Sequence, residues 1–424
     1  MTQETGFTLT KRWLTILAVL ISLPRIASAG LTPSAESLLN DGVTSLYNLD
    51  YEKSRASFHK IIETEPENPF GYLFESAGIW WQSSQEYGLF KDTPTLQGLF
   101  ERDIDTAIKK AAPMLKSKDA SVRADGLFAS GMALGTLGQW SLMRGHWLKA
   151  CNAGRKAMKD LKQCVKTDSN YDDALLGLGV YDYQAAHLSS FLKFSAMLCG
   201  AHGNEKHGLE LIRQAMEKGR YGSRQAREFL FSIYLSDRHE PKEAMEVLQK
   251  LRQDFPVSPY FEFLEIALRH RLGDTDGSIK EGKEFFALYQ GDLGALDRKL
   301  LTLICGMEGA DCLNKEDVAR ANAWFTQALD ADKTATPPSF NSDAWLSVNH
   351  ILRGYSWDIL NKRADAAKDY EWVLAHPDLS DLHARAKECL ANPCTVKPVL
   401  TYLRGLSQTS NPAPEISSAP VRSK

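Results

Sequence analysis

ANAWFTQALDAD, residues 321–332, sets Ala321, Phe325 and Ala328 four and three positions apart and then turns acidic. On a helix that spacing stacks the three side chains on one face. The order small, large, small lets a second helix come close beside the small residues while the ring fills the gap between them. Such a face serves either a ligand or a neighbouring helix, and the rest of the chain decides between the two.

The face recurs. Ser54, Phe58 and Ile61 precede Pro66; Ala157, Leu161 and Cys164 precede Ser169. Gly208, Ile212 and Ala215 follow, then Ala244, Leu248 and Leu251 before Pro256. Ser278, Gly282 and Phe285 form a degenerate copy, and Ala366, Tyr370 and Val373 complete the series near Pro377. The first positions 208, 244 and 278 lie 36 and 34 residues apart. A fixed period of this size marks stacked supersecondary units. Amphipathic runs such as EAMEVLQKLRQDF, with Ala244, Val247, Leu248 and Leu251 on one side, show the helical period, and strand-like alternation between hairpin turns is hard to find.

This pattern resembles the tetratricopeptide repeat family, whose second helix carries the small–large–small face. Leu178-Gly179 before Tyr181 and Tyr183, Gly354 with Trp357, and Gly42 before Tyr47 match its first helix loosely. The resemblance implies an all-α, right-handed superhelix of roughly six stacked antiparallel hairpins over residues 30–391. The stretch from Phe70 to Leu115 matches poorly and reads as an insertion. YDYQAAHLSSFLKFSAMLCG is longer than a hairpin needs and reads as an extra helix.

The ends differ from this body. Lys11 and Arg12 precede the apolar run Trp13–Leu23, and Ala27-Ser28-Ala29 closes a cleavage-type signature, so residues 1–29 read as a signal peptide. The expectation is a periplasmic or secreted protein with no membrane span after cleavage; an uncleaved inner-membrane anchor is the alternative. Residues 392–424 are rich in Pro, Ser and Ala without periodicity and read as a flexible tail.

A formal charge of −3 argues against a general nucleic-acid binder. Seven cysteines cannot all pair internally. Cys305 and Cys312 flank GMEGAD, read as a loop, and Cys389 and Cys394 flank LANP; these are the two candidate disulfides. Cys151, Cys164 and Cys199 sit in apolar helical surroundings and read as buried thiols.

No G-x-S-x-G, H-E-x-x-H, phosphate-binding loop or C-x-x-C-H motif occurs. Cys199, His202 and His207, with Glu205 between the histidines, lack a clear fourth ligand and read as turn residues beside a buried thiol, so no metal and no cofactor is expected. The aromatics decide the functional reading. Aligned on the repeat, Tyr47, Tyr183, Gln184, Tyr355 and Asp358 fall on the inner, concave face, where aromatic anchors beside polar groups suit a bound peptide. The expectation is a non-catalytic scaffold or adaptor holding a peptide or helix from an envelope protein. The alternative is an envelope enzyme with its site in segments 70–115 or 191–207.

Overall fold

The computed structural model describes residues 30–86, 94–187, 203–238, 240–289, 295–333, 340–376, 378 and 382–394. Residues 1–29, where a signal peptide is expected, residues 188–202 and the tail beyond Cys394 lie outside them, as does most of the expected extra helix. Among the described residues there are seventeen α-helices and no strand. None of these helices is long and apolar enough to cross a membrane.

The helices pair along the chain. The first hairpin is α1 (Pro33–Tyr47) with α2 (Tyr51–Thr64), followed by α3 (Pro69–Glu86) with α4 (Pro94–Met114). Then come α5 (Ala120–Met143) with α6 (Trp147–Thr167), α7 (Asp173–His187) with α8 (Glu205–Lys218), and α9 (Ser223–Ser232) with α10 (Pro241–Asp254). The series continues with α11 (Pro259–Arg271) and α12 (Thr275–Tyr289), α13 (Ala295–Asn314) and α14 (Val318–Lys333), and α15 (Phe340–Ile359) and α16 (Arg363–Leu374). A single helix, α17 (Leu382–Ala391), closes the stack. The chain is an all-α solenoid of tetratricopeptide-like hairpins, eight of them rather than six.

One turn is used repeatedly. In five hairpins three residues separate the helices, and the middle one is left-handed: Leu49 (φ 67°), Gly145 (74°), Gly273 (84°), Glu316 (62°) and Asn361 (61°). That residue reverses the chain, and glycine or asparagine accepts it most readily. Polar caps then restart the helices: Asp50 accepts from the Lys53 amide, Asp119 from Ser121 and Val122, and Ser258 from Phe261.

The repeated face is the seam of each hairpin. Ala321, Phe325 and Ala328 are each 0% exposed, and the corresponding triads of the other six copies are buried as well. The large residue presses against a glycine of the partner helix. A Cβ placed on Gly42 would sit 2.4 Å from the Phe58 ring; on Gly309, 2.5 Å from Phe325; on Gly354, 2.5 Å from Tyr370. Contacts below 3 Å leave no room for any side chain there, so the notch and the ring specify each other.

Two expectations are corrected here. Residues 70–115 are not an insertion: most of them form the ordinary hairpin α3–α4, whose buried face uses Ala107, Ala111 and Met114 in place of the small–large–small order. GMEGAD is not a loop either. It lies inside α13, so Cys305 and Cys312 sit two turns, roughly 10 Å, apart along one helix and are both free and buried. The helix survives its glycines because Gly306 makes room for Asn349 and Gly309 for Phe325. Cys389 and Cys394 are joined by a disulfide, and Cys151 is disulfide-bonded rather than a buried thiol.

The first part of the solenoid closes across its own axis. Tyr47 Oη and Trp81 Nε1 both donate to the carboxylate of Glu228, each at 3.0 Å, joining α1 and α3 to α9. Burial pushes the Glu228 pKa up, while these two donors favour its charged form. Ser258 at the start of α11 donates to the Tyr47 carbonyl, and Phe255 and Phe261 pack on the Tyr47 ring. Tyr221 stands between Phe70 and Phe128. One apolar cluster therefore runs from Leu31 to Leu268, and a second, separate one fills the C-terminal hairpins from Cys312 to Cys389.

Candidate functional site

The closure changes where a site can be. Tyr47 is 4% exposed and spent on Glu228. Tyr183 is buried and stacks on His187 at 4.3 Å. Tyr355 is 2% exposed and packs on Tyr370 of its own hairpin. Asp358 is a buried clasp: it accepts from Arg363, from the Tyr370 hydroxyl at 2.9 Å and from the Cys394 amide at 2.9 Å. These four are buried in the fold and do not line an open groove. Gln184 alone of the five faces open space.

That space is a cavity of about 490 Å³ between α5, α6, α7 and α9. This lies within the ordinary range of ligand pockets. Helix α5 contributes Gly131, Met132, Gly135, Thr136, Gly138, Gln139 and Leu142. From α6 come Trp147, Leu148, Cys151, Gly154, Met158 and Leu161; from α7, Leu176, Val180, Tyr181 and Gln184; from α9, Gln225 and Phe229.

Glycine makes the cavity. Gly131 is used up as the notch for Leu161, whose carbon lies 2.6 Å from where its Cβ would be. Gly138 lets α5 and α6 approach backbone to backbone, with Gly154 N and Ala150 O 3.5 Å from the same position. Gly135, one turn away, has no such partner: a Cβ there meets only the Ala157 methyl, at 3.9 Å. Where other first helices press against a large side chain, α5 leaves a hole.

The described lining contains no charged residue. Two of its polar side chains donate within the protein, Thr136 to the Met132 carbonyl and Gln139 to Gln184 at 3.3 Å. Burial, and then the neighbouring Asp182, raises the pKa of Tyr181, so its phenol stays neutral. Cys151 is bonded and so is no nucleophile. At the mouth Leu142 and Leu148 are exposed, Leu148 to 87%. Such a lining holds an apolar group and orients it weakly.

The remaining candidates resolve otherwise. His207 bonds Asp182 at 2.7 Å, and Glu205 pairs with Arg238 at 2.9 Å; Cys199 and His202 lie outside the described residues. Among the described residues no group of three or more His, Cys, Asp or Glu side chains is placed to hold a metal. The cavity was missed in the sequence although its signal was present: Gly131, Gly135 and Gly138 recur at helical spacing in GMALGTLG.

No protein-family model matches this sequence, and no curated protein matches it. Among solved structures it is similar to a tetratricopeptide repeat protein from Parabacteroides merdae, at 14% identity over 75% of this chain and 99% of that one, TM-score 0.30. It is similar to yeast Tom70 at 12% identity over 88% and 90%, TM-score 0.26, and to the TPR domain of P58(IPK) at 12% over 87% and 98%, TM-score 0.22. At such values these likenesses carry no argument about what the chain does, and the fold stands on its own hairpins.

Proposed function

We propose that this chain is an exported, non-catalytic interaction scaffold of the cell envelope, and that it seats an apolar stretch of a partner protein in the α5–α6–α7–α9 cavity. The observation that carries this reading is the cavity itself: wide, with no charged residue in its described lining, and flanked by two exposed leucines. Partner side chains entering it leave water without stranding a polar group, and burial contributes roughly 25 cal/mol per Å² of apolar area before ordering costs. The basic, apolar and A-x-A segments at the N-terminus support export.

Gly135→Leu tests the site. The side chain has space to enter and replaces a mid-helix glycine, so stability should hold or rise by up to about 1 kcal/mol. Binding of an amphipathic helical peptide, measured by titration calorimetry, should be lost. Unchanged peptide affinity in a folded Gly135→Leu protein would mean that the cavity is not the site.

A further inference from the structure

Helix α6 has two long faces. One lines the cavity; beside it runs a stripe in which Leu148, Cys151, Arg155, Lys159, Lys162 and Lys166 recur at three- and four-residue steps. On a 3.6-residue helix that stripe is continuous and about 27 Å long. It begins at the cavity mouth with Leu148 and Cys151 and continues as four cations, all exposed. None of the four has an ion pair among the described residues. Lys149 and Lys156 adjoin them, and the helix's one acid, Asp160, is turned away and accepts from Ser130 at 2.7 Å. In a chain of net charge −3 this is a strong local reversal of sign.

We infer that the partner of the cavity is an acidic amphipathic helix: its apolar residues enter between α5 and α7 and its carboxylates lie along the α6 cations. This rests on the reading of the cavity as a protein-binding site and adds the partner's charge and shape. A straight row of cations, about three turns long, matches acids at three- and four-residue steps on one face of a helix that runs the length of the stripe. A flat anionic bilayer fits worse. The apolar surface beside the cations is recessed in a cavity, and among its described apolar lining residues only Leu142 and Leu148 are exposed. Exposed pairs at a rim act mainly through long-range attraction, which salt screens.

The test uses the purified chain and two helical peptides of about 18 residues with one apolar face in common, bearing Glu in one and Gln in the other on the flank facing α6. At low salt the Glu peptide should bind about tenfold more tightly, and raising the salt to about 0.5 M should erase the difference. Replacing Arg155, Lys159, Lys162 and Lys166 with Gln should remove the Glu preference and leave the affinity for the Gln peptide unchanged. Equal affinity for both peptides overturns the charge inference while leaving the cavity reading intact. If neither peptide binds, the cavity reading fails and the inference fails with it. Sedimentation with phosphatidylglycerol vesicles is the third arm: vesicle binding that needs the four cations, without peptide preference, also overturns it.

Discussion

The same hairpin builds two different bodies in this chain. From α1 to α11 large aromatic residues meet across the chain: Tyr47, Phe70, Phe128, Tyr221, Phe255 and Phe261 form one core across hairpins far apart in sequence. From α13 to α17 the apolar core is a separate one, and in the α15–α16 hairpin much of the joining between the two helices is polar. Asp358 and Asp369 are buried there, the latter accepting from His350 at 2.7 Å and from Arg353. Burial raises the Asp369 pKa, yet these donors hold it below its ordinary value. The seam makes a hairpin; the residues between hairpins decide whether they close on one another or simply stack.

The contrast can be broken most severely at a seam. Phe325→Ala empties a fully buried position and should cost about 3–5 kcal/mol. In a linear stack the damage stays near its source. Hydrogen exchange should rise in α13–α16 while α1–α10 keep their protection; loss of protection everywhere would show that the two bodies are one cooperative unit.

The joint between the bodies should respond to pH. Glu308 on α13 is buried beside Asp311, and burial first, then Asp311, raises its pKa to about 7. His270 on α11 approaches Asp311 at 3.1 Å, and this contact with the carboxylate raises the histidine's pKa against the opposing effect of burial. Both folded-state values lie above the unfolded ones, so folding favours the protonated forms of both groups. The Glu308 contribution is lost as pH rises from about 4.5 toward 7, and that of His270 as pH rises through its raised value. Melting between pH 5 and 8 should lose on the order of 2–3 kcal/mol, and Glu308→Gln should flatten most of that slope.

Glu228→Ala removes the acceptor of Tyr47 and Trp81 and should cost about 2–3 kcal/mol by stranding two donors. Its effect should spread through α1–α11, opposite in location to that of Phe325→Ala. A smaller change is expected at the far end. Reducing Cys389–Cys394 frees a loop of sequence separation 5 and should cost about 2 kcal/mol, confined to α16 and α17 in exchange data.

How much of this was legible depends on sequence distance. The seam residues Phe58, Leu161, Phe325 and Tyr370 were readable because a helix repeats its face within seven positions. The α3–α4 hairpin was not, since Ala107 and Ala111 replace the large residue that signals a seam. GMEGAD read as a break because glycine weakens an isolated helix, whereas Gly306 and Gly309 are packing notches for residues 16 or more positions away. The closure was hidden for a similar reason: Tyr47 and Glu228 are 181 residues apart, and no local pattern joins them. The cavity required knowing that Gly135 faces no side chain larger than an alanine.

The central claim is that binding occurs at the α5–α7 cavity and not at the buried Tyr47 or Tyr355. Methyl-resolved NMR of the purified chain, titrated with the Glu-bearing amphipathic peptide, tests it directly. The account predicts saturable shifts at Met132, Leu148, Met158, Leu176 and Val180, with Leu46 beside Tyr47 and Ile351 beside Tyr355 unmoved. Shifts centred on Leu46 or Ile351 while the cavity methyls stay still would contradict it.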